Sequence, residues 1–353
     1  MFSKTPPVRE SSQMATDGPS YELDRDGDVL FIVRNAPNDL PPDLKDVQSD
    51  ALAGNLSTSI ESAEAERQIL RLRASSKHLT LACPYFVRMF RSGLREATEL
   101  KTKGNVEIEI EDSRGTAFLL LMLIIHCRTS QVPLAVTLTT LADVAVLVDF
   151  YECYDAVATF PEEPIDRDDS DATRWLLISW VFRRNSIFTD MTQWLQLLGQ
   201  DTIEATGLPI PGLIIDKLNA ERITYIQRLF DDLHRLEVKL RKGCPRDSNS
   251  TLKKPGLCTF AVLGGFTKHM ADMELSSPTP TAPFSGFSAQ NLLADLRRKM
   301  DSPVIRDPDS SGSYINHDSC RLSSRVTALL KSYSLPAGFD LDSPEFASLR
   351  AGR

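Results

Sequence analysis

The side chains with the most chemical potential lie in the last third of the chain. Cys244 and Cys258 flank a Lys/Ser/Pro linker, and His317 stands three residues before Cys320. Three thiolates and an imidazole are ligands that suit a tetrahedral zinc site. Only the His-x-x-Cys half has the short spacing of such sites, so buried free cysteine is the expected state of this set, with no metal and no cofactor. The other cysteines are Cys83, Cys127 and Cys153, and no two of the six form a CxxC pair. Free thiols in a reducing compartment are the expectation. The histidines His78, His126, His234, His269 and His317 adjoin no nucleophile motif; His126 ends an apolar run and His234 sits in a charged one. No G-x-G-x-x-G, Walker A, G-x-S-x-G or H-E-x-x-H run occurs, so the usual nucleotide, hydrolase and zinc-protease chemistries have no foothold. The expected class is therefore not an enzyme.

The 353 residues leave room for two domains, and 42% hydrophobic content is ample for real cores. Forty basic against 48 acidic residues give a net charge of −8, so no global field draws the chain to nucleic acid or anionic membrane. Basic residues gather locally at Arg235 to Arg246 and Leu296 to Lys299, without any zinc-finger, homeodomain or basic-zipper pattern, which makes nucleic acid an unfavoured partner. The opening MFSKTPPVRE lacks the apolar core of a signal peptide. The most apolar run, Ala117 to Cys127, is about half a bilayer's length. An intracellular protein, cytoplasmic or nuclear, with no membrane partner is expected.

The elements that must position any surface follow from periodicity. Residues 1–20 are polar and aperiodic and read as disordered. DVLFIVR (Asp28 to Arg34) is a continuous apolar run, as for a strand buried on both faces. A polar, acidic stretch over residues 35–66 reads as a flexible insertion. QILRLRA sets Leu70, Leu72 and Ala74 against Arg71 and Arg73, and VEIEIE sets Val106, Ile108 and Ile110 against three glutamates. A short helical pair carries Leu79, Tyr85, Phe86, Met89 and Phe90, with Pro84 opening its second member. Residues 115–127 read as a buried helix. Leu141, Val144, Ala145, Val148 and Tyr151 form one face of the next, with Thr140 and Asp143 as a possible capping box. An acidic hinge (161–171) leads to a helical domain (172–270) containing the stripe Ile223, Ile226, Phe230, Leu233, Leu236 and Leu240, which reads as domain core. A partly ordered extension (271–353) closes the chain.

SSKHLTLACPYFVRMFRSGLREA, with DGDVLFIV before it and VEIEIED and LADVAVLVDFYECYDAV after it, resembles a BTB/POZ domain over residues 21–155. Leu79, Ala82, Pro84, Tyr85, Phe86 and Phe90 match the family signature. The wider chain, including WLLISWVFRR and GLPIPGLIID, is similar to the BTB-domain proteins of filamentous fungi. Ser75 stands where the family usually has His, Cys83 replaces the Ser before Pro-Tyr-Phe, and no helix is evident before Tyr21. In the family the first two positions contribute to a partner-binding groove and the dimer seam, so the resemblance implies no corepressor-type groove, and the missing helix counts against the swapped form of the dimer.

The resemblance implies an α+β fold, a small sheet with clustered helices, followed by a mainly α-helical C-terminal region. It also implies a protein–protein interaction scaffold that forms a homodimer or acts as substrate adaptor for a cullin-type ubiquitin ligase. In the cullin-binding subset a hydrophobic residue and a Glu two positions later make the contact; here they are Leu94 and Glu96. The alternative function is that of a nuclear transcription-associated regulator whose C-terminal half contacts chromatin proteins or DNA.

Overall fold

The structure, a computed structural model, describes residues 16–36, 68–111, 114–133, 136–158, 171–243, 256–301 and 320–351. The first 15 residues, most of the acidic insertion and the hinge residues 161–170 lie outside these. The fold is α+β, and its described residues divide into two compact units, 1–184 with 344–353, and 185–343.

The first unit is built on a four-stranded sheet: β1 (Thr16–Glu22), β2 (Val29–Ala36), β3 (Gln68–Ala74) and β4 (Val106–Glu111), in the order β1-β3-β2-β4. β2 lies at the centre, antiparallel to β3 and parallel to β4, with Phe31 opposite both Leu72 and Ile108. The alternation in β3 and β4 holds: Leu70, Leu72, Ala74, Val106 and Ile108 are buried, and the glutamates of β4 are exposed. In β2 only the Val29, Phe31, Val33 side is fully buried, while Leu30 and Ile32 are half-buried; the strand is central without being covered on both faces. β1 corrects the expectation of disorder up to residue 20. It is an edge strand parallel to β3, and Gly18-Pro19 falls where its register shifts, a position where a missing amide proton costs no ladder bond.

Helices α1 (Ser76–Ala82), α2 (Pro84–Arg91), α3 (Arg95–Lys103), α4 (Gly115–Ile125), α5 (Leu138–Tyr151) and α6 (Ala172–Val181) complete this part of the unit. α4 is buried along nearly its whole length and packs on β2 and β3. The predicted face of α5 is buried at all five positions. Its cap differs from the expected Thr140–Asp143 box: Thr137 is the N-cap, accepting a 3.1 Å bond from the Thr140 amide, and Asp143 pairs with Arg114 at 3.4 Å. α6 packs against α5, so the helical region begins inside the first unit rather than as a separate domain from residue 172. The short helix α12 (Pro344–Ala351) also clusters with this unit.

His126, at the end of α4, is buried and structural. Its Nδ1 lies 2.8 Å from the Met122 carbonyl and its Nε2 accepts the Ser75 amide at 3.0 Å, which fixes the neutral ring with its proton on Nδ1. His78 stacks on it at 5.0 Å. A second proton on Nε2 would oppose the Ser75 amide just ahead of α1.

The second unit comprises α7 (Asn185–Leu198), α8 (Gly212–Arg241), α9 (Leu257–Asp272), α10 (Ala289–Lys299) and α11 (Leu322–Leu330). Its core takes Ile226, Phe230, Leu233, Leu236 and Leu240 from α8, as the stripe predicts, and Ile223 packs at the edge. Leu292, Leu293, Leu296, Leu322, Val326 and Leu330 belong to the same core, so the segment read as a partly ordered extension supplies two of its walls. Across α7, Gly338 approaches so closely that a Cβ there would lie 2.0 Å from the Thr189 carbonyl. Thr192 Oγ1 accepts the Phe339 amide at 2.8 Å, and Thr189 Oγ1 donates to the Phe339 carbonyl at 2.9 Å.

The largest fully buried side chain of the described residues is Arg222, on the buried face of α8. Its guanidinium donates to five carbonyls: Gly199 (2.8 Å), Gln200 (2.8 Å), Pro283 (2.7 Å), Phe284 (3.0 Å) and Phe287 (2.8 Å). Burial pulls its pKa below the usual arginine value, and Asp201 opposes that pull. All three guanidinium nitrogens donate to main-chain oxygen, with three of the carbonyls gathered on Nη2, an arrangement that the planar fork of arginine suits.

Replacing Arg222 by Met should cost about 3–5 kcal/mol, because five main-chain carbonyls, four of them part-buried and one buried, lose their donor; Arg222→Lys should recover little of it. Urea unfolding followed by fluorescence checks both, and a wild-type midpoint in the Lys variant would overturn the account. A second outcome concerns pH. Burial holds His126 below the usual histidine range, helped by His78 and Arg128 and opposed by the Met122 carbonyl and Asp24. The folded chain therefore binds this proton less readily than the unfolded chain. The contribution is complete above the ordinary value of 6.5 and is lost as pH falls below it toward the folded value. The urea midpoint should drop across this window in wild type, with a shallower drop in His126→Gln.

Candidate partner-binding surface

The candidate surface is assembled by α1, α2, the start of α3 and the end of α5. Cys83 ends α1 and caps α2, and Pro84 takes the first helical position of α2, where its missing amide proton costs nothing. This tight elbow turns Leu79 and Phe86 inward; both are buried. Cys153, which follows α5, is buried like Cys83 and donates its thiol to the Val148 carbonyl at 3.9 Å. The neighbouring Cys83 thiol and burial push the Cys153 thiol far above the usual thiol range, so it is an inert packing group.

Phe86 is the centre of a continuous set of rings. It lies 5.8 Å from Phe31 on β2, 5.2 Å from Tyr151 on α5 and 5.9 Å from Phe90 on its own helix. Phe118 on α4 closes the set edge-on to Phe31 at 5.2 Å. The rings continue outward: Tyr85 is half-buried and lies 5.3 Å from Phe150, which is 57% exposed. Beside them Arg88 donates two bonds to Glu152, at 2.7 and 2.6 Å. Glu152 ends α5 in the left-handed region, φ 58°, and the pair ties α2 to that terminus. The bond to Glu152 raises the Arg88 pKa further.

Leu81, on the outer side of α1, is 88% exposed, and Leu94, the residue before α3, is 60% exposed. Glu96 occupies the first turn of α3, where a carboxylate suits the helix dipole. Its side chain is only one-quarter exposed and lies 3.8 Å from Arg95 Nε. The two residues singled out by the hydrophobic-x-Glu pattern thus differ: Leu94 projects into solvent, and Glu96 is mostly covered and lies beside Arg95. The signature residues Leu79, Pro84, Tyr85, Phe86 and Phe90 lie in adjoining α1 and α2.

Leu81, Phe150 and the Arg88–Glu152 pair were missed by the motif reading. The signal was present for Phe150. With Leu141, Val144, Ala145, Val148 and Tyr151 on the inner face of α5, the residue beside Tyr151 is turned about 100° away from that face.

No described helix is long and apolar enough to cross a membrane. Among the described residues no group of three or more His, Cys, Asp or Glu could hold a metal ion. Cys258 and Cys320 are buried, while Cys244 and His317 lie outside the described residues. No family model, no curated protein and no solved structure matches the chain.

Phe86→Ala should cost about 3–5 kcal/mol through the cavity left among four rings. Phe150→Ser, at the exposed end of the same set, should cost under about 1 kcal/mol. Thermal and urea unfolding of the two variants compares them; equal losses would mean that Phe150 is part of the core.

Proposed function

We propose that the chain is a non-enzymatic interaction protein whose first unit is a BTB/POZ-type docking domain. The observation that carries this reading is the exposure of Leu81 and Phe150 on helices whose other sides are buried, and of Leu94 at the residue before α3. A leucine or phenylalanine in solvent is unremarkable singly. Rigid apolar anchors with a charged pair beside them, however, are what a specific interface uses at its centre. Tyr85 and Phe150 are held by ring contacts and by the Arg88–Glu152 tie, so a partner would pay little ordering entropy.

In its sharper form the chain is a substrate adaptor. Leu94 would enter an apolar pocket of a cullin-type scaffold, Glu96 would pair on the rim after leaving Arg95, and the second unit would hold another protein. Self-association through the first unit belongs to the same reading, as does an intracellular location, cytoplasmic or nuclear.

Pull-down with a purified cullin scaffold tests the adaptor form. Wild type should be retained, and Leu94→Asp and Glu96→Arg should each reduce retention at least tenfold with an unchanged circular dichroism spectrum. No retention of wild type, or undiminished retention of both variants, removes it. A single-chain mass by light scattering at tens of micromolar would reject the homodimer.

A further inference from the structure

We infer that the second unit carries a binding cleft for a partner's peptide segment in which a bulky apolar side chain stands beside a lysine or arginine. The cleft, of about 490 Å³, opens between α8, α9 and the loop that follows α9, residues 275–280. That volume lies in the range of roughly 300–1,000 Å³ typical of ligand sites. Its floor is apolar, made by Phe230 and Leu233 of α8, Phe266 and Met270 of α9, and Leu275. None of these five is more than 9% exposed. Phe230 stacks on Phe284 at 5.4 Å, and the Leu275 amide donates to the Met270 carbonyl at 2.8 Å. The floor is therefore formed before anything binds, which spares a ligand the cost of ordering it.

The charge around this floor has one sign. α8 sorts its ionisable side chains: Asp231, His234 and Glu237 line the cleft, whereas Arg235 and Lys239 turn to the side facing α11. Among the described residues no lysine or arginine lines it. Glu237 is already paired, with Arg241 at 2.6 Å. Asp231 accepts the side-chain amide of Gln227 at 2.9 Å, and no cation among the described residues pairs with it. An apolar floor beside an uncompensated carboxylate complements a large apolar group with a cation next to it, and repels an acidic one.

The wall opposite the carboxylates favours a peptide over a simple alkyl ammonium. It presents Ser276, Ser277 and Thr279, whose hydroxyls can both donate to and accept from a main chain. Pro278 and Pro280 restrict the backbone of that wall. The inference concerns the second unit alone, and it stands or falls independently of whether the first unit holds a cullin-type scaffold.

Selection of a random dodecapeptide library, displayed on phage, against the immobilised full chain tests it. The enriched sequences should place Phe, Trp, Leu or Met within two residues of Lys or Arg. A fluorescein-labelled peptide of the enriched sequence, followed by polarisation, should bind the wild type and lose affinity several-fold on raising NaCl from about 50 to about 500 mM. Asp231→Lys, which reverses the rim charge, and Thr267→Trp, which fills the cleft from α9, should each weaken binding at least about tenfold. Both positions are exposed, and an unchanged melting temperature confirms that each variant folds. Arg235→Ala, on the other side of α8, should bind as wild type does. No enriched sequence, enrichment without a cation or with acidic residues, undiminished binding by either cleft variant, or an equal loss in Arg235→Ala would each overturn the assignment.

Discussion

The packing of aromatic rings around Phe86 is the constraint on which the first unit depends. One ring touches side chains from the central strand, from its own helix and from the end of α5. Moving it would therefore loosen α2 from both the central strand and the end of α5. Close packing explains why such a contact tolerates little change: rings at 5 to 6 Å leave no space into which a smaller residue's neighbours could relax cheaply. The same constraint settles where the surface residues point. Once Phe86 and Tyr151 are fixed, Tyr85 and Phe150 have only the outer side left, and their exposure follows from the core rather than from any separate requirement.

Much of this was legible in the residues. Strict alternation in β3 and β4 comes from one buried face and one wet face, and it is visible within six or seven residues. The nearly all-apolar α4 and the inner face of α5 are equally local signals. β1 was not legible, because its strand character comes from parallel pairing with β3 some fifty residues away, and its Gly18-Pro19 step reads locally as a break. The cap of α5 was misplaced by three residues because Thr137 and Thr140 are equally good candidates in sequence. Only the backbone extended at Thr137 distinguishes them.

The surface was legible in part. Leu94 and Glu96 were marked by a pattern, yet a pattern carries no information about which partner a carboxylate already has. Glu96 lies beside Arg95, and that depends on geometry rather than on spacing. Arg222 shows the opposite failure. It lies in phase with Leu218 and Ile226 on the inner stripe of α8, so its position announces burial while its charge argues against it. What resolves the conflict is a set of main-chain carbonyls that no sequence pattern records.

Those carbonyls also set how short the second unit can be. Three of the five acceptors of Arg222 come from residues 283–287, far along the chain from α8. A fragment ending before Pro283 would retain the cation and forfeit most of what solvates it, although the apolar stripe of α8 would be intact. Water would then have to enter beside the guanidinium, parting α8 from the turn at Gly199. The hydration of one cation thus requires the chain beyond Pro283 independently of the leucines of α10 and α11, which require it for the core.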